Sequence, residues 1–195
     1  MILGLTGGMG CGKSAAGRIF EESGWGRVDS DEVVREMLAA DAAVIEAVRA
    51  AFGDGVVGGD GTVKRRALAA IVFSNPAALE RLEAILHPRV RRAWKARVAV
   101  RPPESWVVEI PLLFEKALEK EFDFTVCVAC DPAVQVRRLA VRGLAPKEAA
   151  QRIARQLSLA RKIERADFVL TNNGSISFLR DQIHRLVVQL SGSAS

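Results

Sequence analysis

Eight residues near the start of the chain have the spacing that phosphate chemistry requires. Gly7 to Ser14 reads Gly-Gly-Met-Gly-Cys-Gly-Lys-Ser, a complete G-x-x-x-x-G-K-[ST] string. Glycines let successive backbone N–H groups turn inward around an anion, and a helix that starts there adds partial positive charge. In that arrangement Lys13 reaches the β- and γ-phosphates of a nucleotide and the Ser14 hydroxyl is a magnesium ligand. The alternative is a glycine-rich turn that only links strand to helix. The context argues against it, because the apolar Ile2-Leu3-Gly4-Leu5 precedes the string and helix-forming residues from Ala15 to Glu22 follow it.

The elements around this loop read as a parallel α/β sheet. Gly26 to Val28 is a second strand ending in Asp29-Ser30-Asp31, Ser105 to Ile110 a third closed by Pro111, Val126 to Ala129 a fourth, and Phe168 to Leu170 a fifth. Asn172-Asn173-Gly174 then leads into a last helix with Ile176, Leu179, Ile183, Leu186, Val187 and Leu190 on one face, and Ser191 to Ser195 is expected as a frayed tail. Two segments interrupt the alternation. Asp31 to Ala40, Ala42 to Phe52, Lys64 to Phe73 and Ala77 onward are helical in composition, broken by the turn-rich Gly53 to Gly61. This insertion is placed to wall a second substrate, since ligands of open α/β sheets bind beyond the carboxyl ends of the strands. Gln135 to Arg165 carries arginines at 137, 138, 142, 152, 155, 161 and 165, with Gly143 ending one helix and Pro146 opening the next. A short arginine-bearing hairpin of this kind is the form a closing lid takes.

Composition narrows the class. With 195 residues, 49% hydrophobic and 26% charged, the chain can bury a sizeable core. No apolar run approaches the ~20 residues that cross a bilayer, and the first residues do not read as a signal peptide, so a cytoplasmic enzyme with no membrane partner is expected. The net charge of +5 suits a polyanionic ligand. Arg89, Arg91, Arg92, Lys95, Arg97 and Arg101 form the densest basic stretch, after His87-Pro88, and read mainly as a solvated helix face. Without interleaved aromatics they do not argue for nucleic acid. Neither the Asn-Lys-x-Asp nor the Asp-x-x-Gly string of a guanine-nucleotide switch occurs. Cys127 and Cys130 form a C-x-x-C on a buried strand, where a redox motif wants its first thiol at a helix N-terminus; they read as inert core cysteines.

Taken together, Leu5 to Ser14, Asp29-Ser30-Asp31, Leu86-His87-Pro88, Pro111-Leu112-Leu113-Phe114-Glu115, Gln135 with Arg138 and Arg142, Gln156, Ala166-Asp167 and Asn172-Asn173-Gly174 resemble dephospho-coenzyme A kinase, in order from residue 2 to about 175. The resemblance implies transfer of the ATP γ-phosphoryl group to the ribose 3′-hydroxyl of dephospho-coenzyme A, with Mg²⁺. It implies a P-loop NTPase three-layer sandwich with a five-stranded parallel sheet, a helical substrate-binding insertion and a small helical lid. The corresponding ranges are a core of 1–30, 104–136 and 166–190, an insertion of 31–103, a lid of 137–165 and a flexible tail of 191–195. Gly8, Met9, Gly10, Cys11, Gly12, Lys13, Ser14 and Ala15 are then expected to hold ATP, with Asn173 near the adenine. Thr6, Asp31, His87, Leu112 and Leu113 are expected on the coenzyme side. A monomer or weak homo-oligomer is expected.

Phosphoryl transfer needs a cradle, a metal ligand, a group that orients the attacking hydroxyl and mobile cations. Asp31 is the expected base, a role worth roughly 10²- to 10⁴-fold; its other reading is a helix-start acid, which fits Asp29 at least as well. Arg138 and Arg142, four apart on one helix, share a face toward the transferred phosphoryl group. Arg138 also reads as a surface residue with a packed stem. His87 reads equally as a coenzyme contact or a structural histidine before a proline-started helix. Asn172 and Asn173 read first as turn residues tolerating left-handed φ. The chain departs from the family pattern at Cys11 (usually Ser), Ala15 (often Thr) and Glu109 (usually Asp), the last at the tip of the third strand.

Overall fold

The computed structural model describes residues 1–100 and 103–192. Its five strands are β1 (Ile2–Gly7), β2 (Gly26–Asp29), β3 (Trp106–Glu109), β4 (Phe124–Ala129) and β5 (Phe168–Thr171). All pair in parallel in the order β2-β3-β1-β4-β5. β1 is central because both of its faces are covered: Leu3 and Leu5 are buried on one, Gly4 and Thr6 on the other. The strand order diverges at β1, which has β3 on one side and β4 on the other, and a sheet of this type opens its crevice beyond the carboxyl ends at such a point. The register fixes who meets there. Leu5 and Asp29 both lie opposite Glu109, and Thr6 lies opposite Cys127.

The helices are α1 (Lys13–Glu22), α2 (Ser30–Ala40), α3 (Ala42–Phe52), α4 (Arg65–Ser74), α5 (Pro76–Val98), α6 (Pro132–Val141), α7 (Pro146–Ala154), α8 (Leu159–Arg165) and α9 (Ile176–Gly192). Their ends follow local chemistry. Asp41 caps α3 by accepting from the Ala43 and Val44 amides at 3.0 and 3.1 Å, and Asn75 caps α5 ahead of Pro76. Gly143, at φ 80°, follows α6, and Pro146 begins α7.

The chain divides into two compact units, Met1–Asp29 with Val100–Ser195, and Ser30–Ala99. In the first, α1 and α9 cover the sheet: Ile19 and Phe20 join Leu3, Leu5, Val126 and Val128, and α9 adds Leu179, Ile183, Leu186 and Leu190. In the second, α2 to α5 close on Leu38, Val44, Val48, Leu68, Val72 and Leu82. Here the Gly53 to Gly61 segment forms a short 3-10 turn over Asp54–Val56, and a bridge joins Val57 to Val63.

Three details differ from the sequence reading. Pro88 does not start a helix; it lies inside the 23-residue α5. A proline there cannot donate to the carbonyl four residues back, and the adjacent Ile85 carbonyl accepts from the Arg89 guanidinium at 2.7 Å. Ile176 is not in the core but 54% exposed. Finally, α9 runs on through Ser191 and Gly192, Ser191 bonding to the Val187 carbonyl; 193–195, like Arg101 of the basic stretch, lie outside the described residues. Among the described residues no helix is long and apolar enough to cross a membrane.

Candidate active site

The glycine loop leaves the carboxyl end of β1 and enters α1 through Gly12, whose φ of 97° is left-handed. Its shape is set by side chains that take its carbonyls from outside. Gln135 Nε2 donates to the Met9 carbonyl at 2.6 Å, and Asn172 Nδ2 donates to the Cys11 carbonyl at 2.8 Å. Arg138 also reaches that carbonyl, at 3.5 Å, and bonds Asn172 Oδ1 at 3.3 Å. The Cys11 side chain turns inward, fully buried, its Sγ 3.2 Å from Cys130 Sγ at the end of β4. With the Met9 and Cys11 carbonyls engaged on the outside, the first N–H groups of α1, ahead of Ala15, whose amide bonds the Gly12 carbonyl at 3.0 Å, are left to meet an anion. α1 has neither a capping side chain nor an acid in its first turn, so its positive end is uncompensated by its own residues.

Lys13 is held back from this cradle. Its Nζ donates to Glu109 Oε2 at 2.8 Å, and Arg27 Nε takes Glu109 Oε1 at 2.6 Å. Glu109 is completely buried at the tip of β3. Arg27, on β2, also approaches Asp29 at 3.4 Å. Burial disfavours the Arg27 charge, but the Glu109 carboxylate more than offsets it and holds the guanidinium above its usual range. Space for the longer acid comes from Gly17 on α1: a Cβ there would fall 2.2 Å from Glu109 Oε1.

Gly10, Gly12, Ala15, Arg138, Arg142, Asn172, Gly174 and Ile176 line one cavity of about 210 Å³. Arg138, in the last turn of α6, and Arg142, the residue that ends it, both line this cavity; Arg142 lies just beyond the helix rather than on its face. Asn172 is a brace for the loop, and Asn173 Oδ1 accepts from the Asp131 amide at 2.7 Å, joining the turns after β4 and β5. The 137–165 region is fastened at its far end. Lys162, fully buried on α8, donates to the Pro111 carbonyl at 2.7 Å and pairs with Glu115 at 3.0 Å, while Glu115 also accepts the Leu157 amide. Arg165 stacks on Phe114 and pairs with Glu119.

The sequence profile of the dephospho-CoA kinase family matches residues 1–177. The chain belongs to the dephospho-CoA kinase family. The dephospho-CoA kinase of Leifsonia xyli subsp. xyli is 40% identical over 98% of this chain and 99% of its own length. A solved structure from Thermus thermophilus, 36% identical, superposes with a TM-score of 0.83 over 97% of both chains. The dephospho-CoA kinase of Campylobacter jejuni shares the fold, with a TM-score of 0.74 at 23% identity over 100% of this chain and 98% of that one. The fold is that of the P-loop NTPases.

The expected coenzyme-side residues of this kinase fall in different places. Thr6 is fully buried and donates to the Pro111 carbonyl at 3.2 Å. Leu113 is also buried, and Leu112 is partly exposed. Asp31 lies in the first turn of α2, and His87 lies on α5, so both belong to the helical unit. All three cysteines are buried free thiols. Burial pushes Cys11 up to about 12 and Cys127 up to about 11, and so keeps both as unreactive thiols at neutral pH. Sequence reading passed over Arg27, Lys162, Asn172 as a brace and Cys11 as an anchor. Gln135 carried a signal: it shares the inward face of α6 with Leu139, a polar residue where an apolar one belongs.

Proposed function

We propose that the loop Gly8 to Ala15 cradles the ATP phosphates of this dephospho-CoA kinase and that Arg138 and Arg142 meet the transferred phosphoryl group. The family's reaction is the ATP-dependent phosphorylation of dephospho-CoA, the last step of coenzyme A biosynthesis. The observation that carries the residue assignment is the convergence of both arginines and the glycine loop on one cavity. That grouping offers anion donors and guanidinium groups for the equatorial oxygens; the cation at the β/γ position comes from Lys13, next to Gly12 in the chain.

Within this reading Lys13 leaves Glu109 and pairs with the phosphates. Ser14, exposed in the first turn of α1, carries a hard oxygen donor of the type magnesium takes. Among the described residues no group of three or more His, Cys, Asp or Glu gathers, which suits a cation shared with phosphate oxygens and water. When bound, that cation would neutralise charge between the β- and γ-phosphates. The nucleoside end lies along Gly174 and Ile176, where an exposed isoleucine offers an apolar face to the adenine. Asp31, two residues beyond Asp29 at the end of β2, accepts the proton of the ribose 3′-hydroxyl. The coenzyme arm is read against the helical unit, His87 included. α6 is held to the loop by Gln135 and α8 is fastened by Lys162, so closure over ATP falls to α7, which follows Gly143. The enzyme acts in the cytoplasm as a monomer or weak homo-oligomer.

The test is a coupled ADP-release assay with magnesium and ATP, offering dephospho-CoA beside AMP, adenosine and gluconate. ADP formed only with dephospho-CoA, and a product phosphorylated on the 3′-hydroxyl, is expected. Lys13→Ala should abolish turnover. Asp31→Asn should lower kcat by roughly 10²-fold or more while ATP affinity stays largely intact. A near-normal kcat in Asp31→Asn would remove Asp31 from the role of base.

A further inference from the structure

The Lys13–Glu109 pair poses a problem that the reaction alone does not resolve. Glu109 has no solvent exposure, and among the described residues its carboxylate has two cationic partners, Lys13 on Oε2 at 2.8 Å and Arg27 on Oε1 at 2.6 Å. If Lys13 turns to the ATP phosphates, Glu109 loses one of them while remaining buried. A buried carboxylate stripped of its last cation is strongly disfavoured. Arg27 prevents that outcome. Its guanidinium donates a short charge-assisted bond to the oxygen that Lys13 does not use. It also stands on β2, whose Asp29 is in register with Glu109, so it does not depend on the lysine for its position.

We infer that Arg27 is a positioning residue for ATP binding: by keeping Glu109 paired, it allows Lys13 to exchange the carboxylate for the nucleotide's phosphates. This rests on the reading of Lys13 as the phosphate lysine. Arg27 itself acts through Glu109 rather than on the reacting atoms. The arrangement is specific to the residues this chain carries. An acid of this length fits only because residue 17 is glycine, since a Cβ there would lie 2.2 Å from Glu109 Oε1, 2.8 Å from its Cδ and 2.9 Å from Arg27 Nε. Glycine inside a helix is otherwise disfavoured, so its presence in α1 marks the close approach of this cluster.

The consequences separate from those of a merely structural residue. Without the Arg27 charge, Glu109 holds on to Lys13 as its remaining cation, and ATP must compete with that contact. Arg27→Met keeps the aliphatic stem and is expected to weaken ATP binding at least tenfold. The kcat at saturating ATP should stay within about threefold, because the exchange is complete once ATP is bound. Arg27→Lys, which retains a cation, is expected to recover most of the affinity. Gly17→Ala, which displaces the Glu109 carboxylate, should disturb binding too, and the shorter acid in Gly17→Ala/Glu109→Asp should restore it.

The decisive experiment is a double-mutant cycle read by calorimetric titration of ATP, with and without magnesium, on wild type, Arg27→Met, Glu109→Gln and the double variant. The neutral amide that Glu109→Gln introduces needs no counter-ion, so Arg27→Met is expected to change affinity less than twofold in that background. An unchanged affinity in Arg27→Met, or an equal loss with and without Glu109, overturns the inference. Lys13→Ala serves as the separate control. If that variant bound ATP like wild type, the phosphate-lysine reading would fail, irrespective of Arg27.

Discussion

At the scale of single residues, the loop is a set of carbonyls held outward so that N–H groups face a phosphate. Asn172 is the sharpest case. Its amide donates to the Cys11 carbonyl at 2.8 Å, and a Cβ on Gly12 would lie 2.1 Å from that same nitrogen, at a φ of 97° that non-glycine residues avoid. Gly12→Ala is therefore expected to lose ATP binding by more than a hundredfold, through displacement of Asn172 together with strain in the loop backbone. Asn172→Ala should cost less, raising the KM for ATP about tenfold, since the Cys11 carbonyl loses its short donor and keeps only Arg138 at 3.5 Å, a loss of roughly 1–3 kcal/mol. Steady-state kinetics with ATP as the varied substrate check both, and equal effects would show that the glycine serves only to leave room for Asn172. The glycine string and Lys13 were legible because a contiguous motif brings its own geometry. Asn172 was not, because its partner is 161 positions away and its own neighbours, Asn173 and Gly174, spell a turn. The Arg27–Glu109–Lys13 cluster was hidden for the same reason: it exists only once β2, β3 and β1 are set in register.

At the scale of elements, the sequence announced nearly every strand and helix, since periodicity and caps are local. It misread Pro88, because a proline after His87 looks like a helix start when the apolar face formed by Leu82, Leu86, Val90 and Trp94 is not weighed across it. It also gave no warning of Lys162, a lysine amid arginines that reads as surface and is fully buried. This lysine joins α8 to the segment after β3 through the Pro111 carbonyl and Glu115, whose buried Oε2 accepts no hydrogen bond among the described residues. Removing one half of such a pair strands the other. Lys162→Met is expected to destabilise the protein by about 3–5 kcal/mol in urea unfolding. Lys162→Met/Glu115→Gln should recover a clear part of that loss, because the neutral amide still accepts from the Leu157 amide. A double variant as unstable as the single one would mean that the bond to Pro111, rather than the ion pair, fastens α8.

At the scale of the whole molecule, the central sheet is sealed on both faces, and that seal extends to its thiols. Cys127 lies on β4 in the middle of the sheet, and burial raises it from 9.0 to about 11 even though the Lys162 charge opposes the shift. An acid whose folded-state value lies above its unfolded one binds its proton more tightly when folded. Its stabilisation is thus complete below pH 9 and is lost as pH rises toward 11, where unfolded chains have released the proton and folded ones have not. Each such thiol steepens the alkaline decline by about 1.4 kcal/mol per pH unit across that window. Cys11, raised further, extends the same trend toward 12. Every other group is common to wild type and Cys127→Ala, so the difference in slope isolates the thiol. Guanidinium unfolding under reducing conditions at about pH 8, 9, 10 and 11 should find Cys127→Ala less stable than wild type at the lowest pH, from the cavity it leaves, and the gap should narrow with each step above about 9. A gap that stayed constant across the series would mean that Cys127 ionises in the folded protein as readily as in the unfolded chain. The sheet would then admit water at β4, and the sealed core that positions the glycine loop at the end of β1 would have to be redrawn.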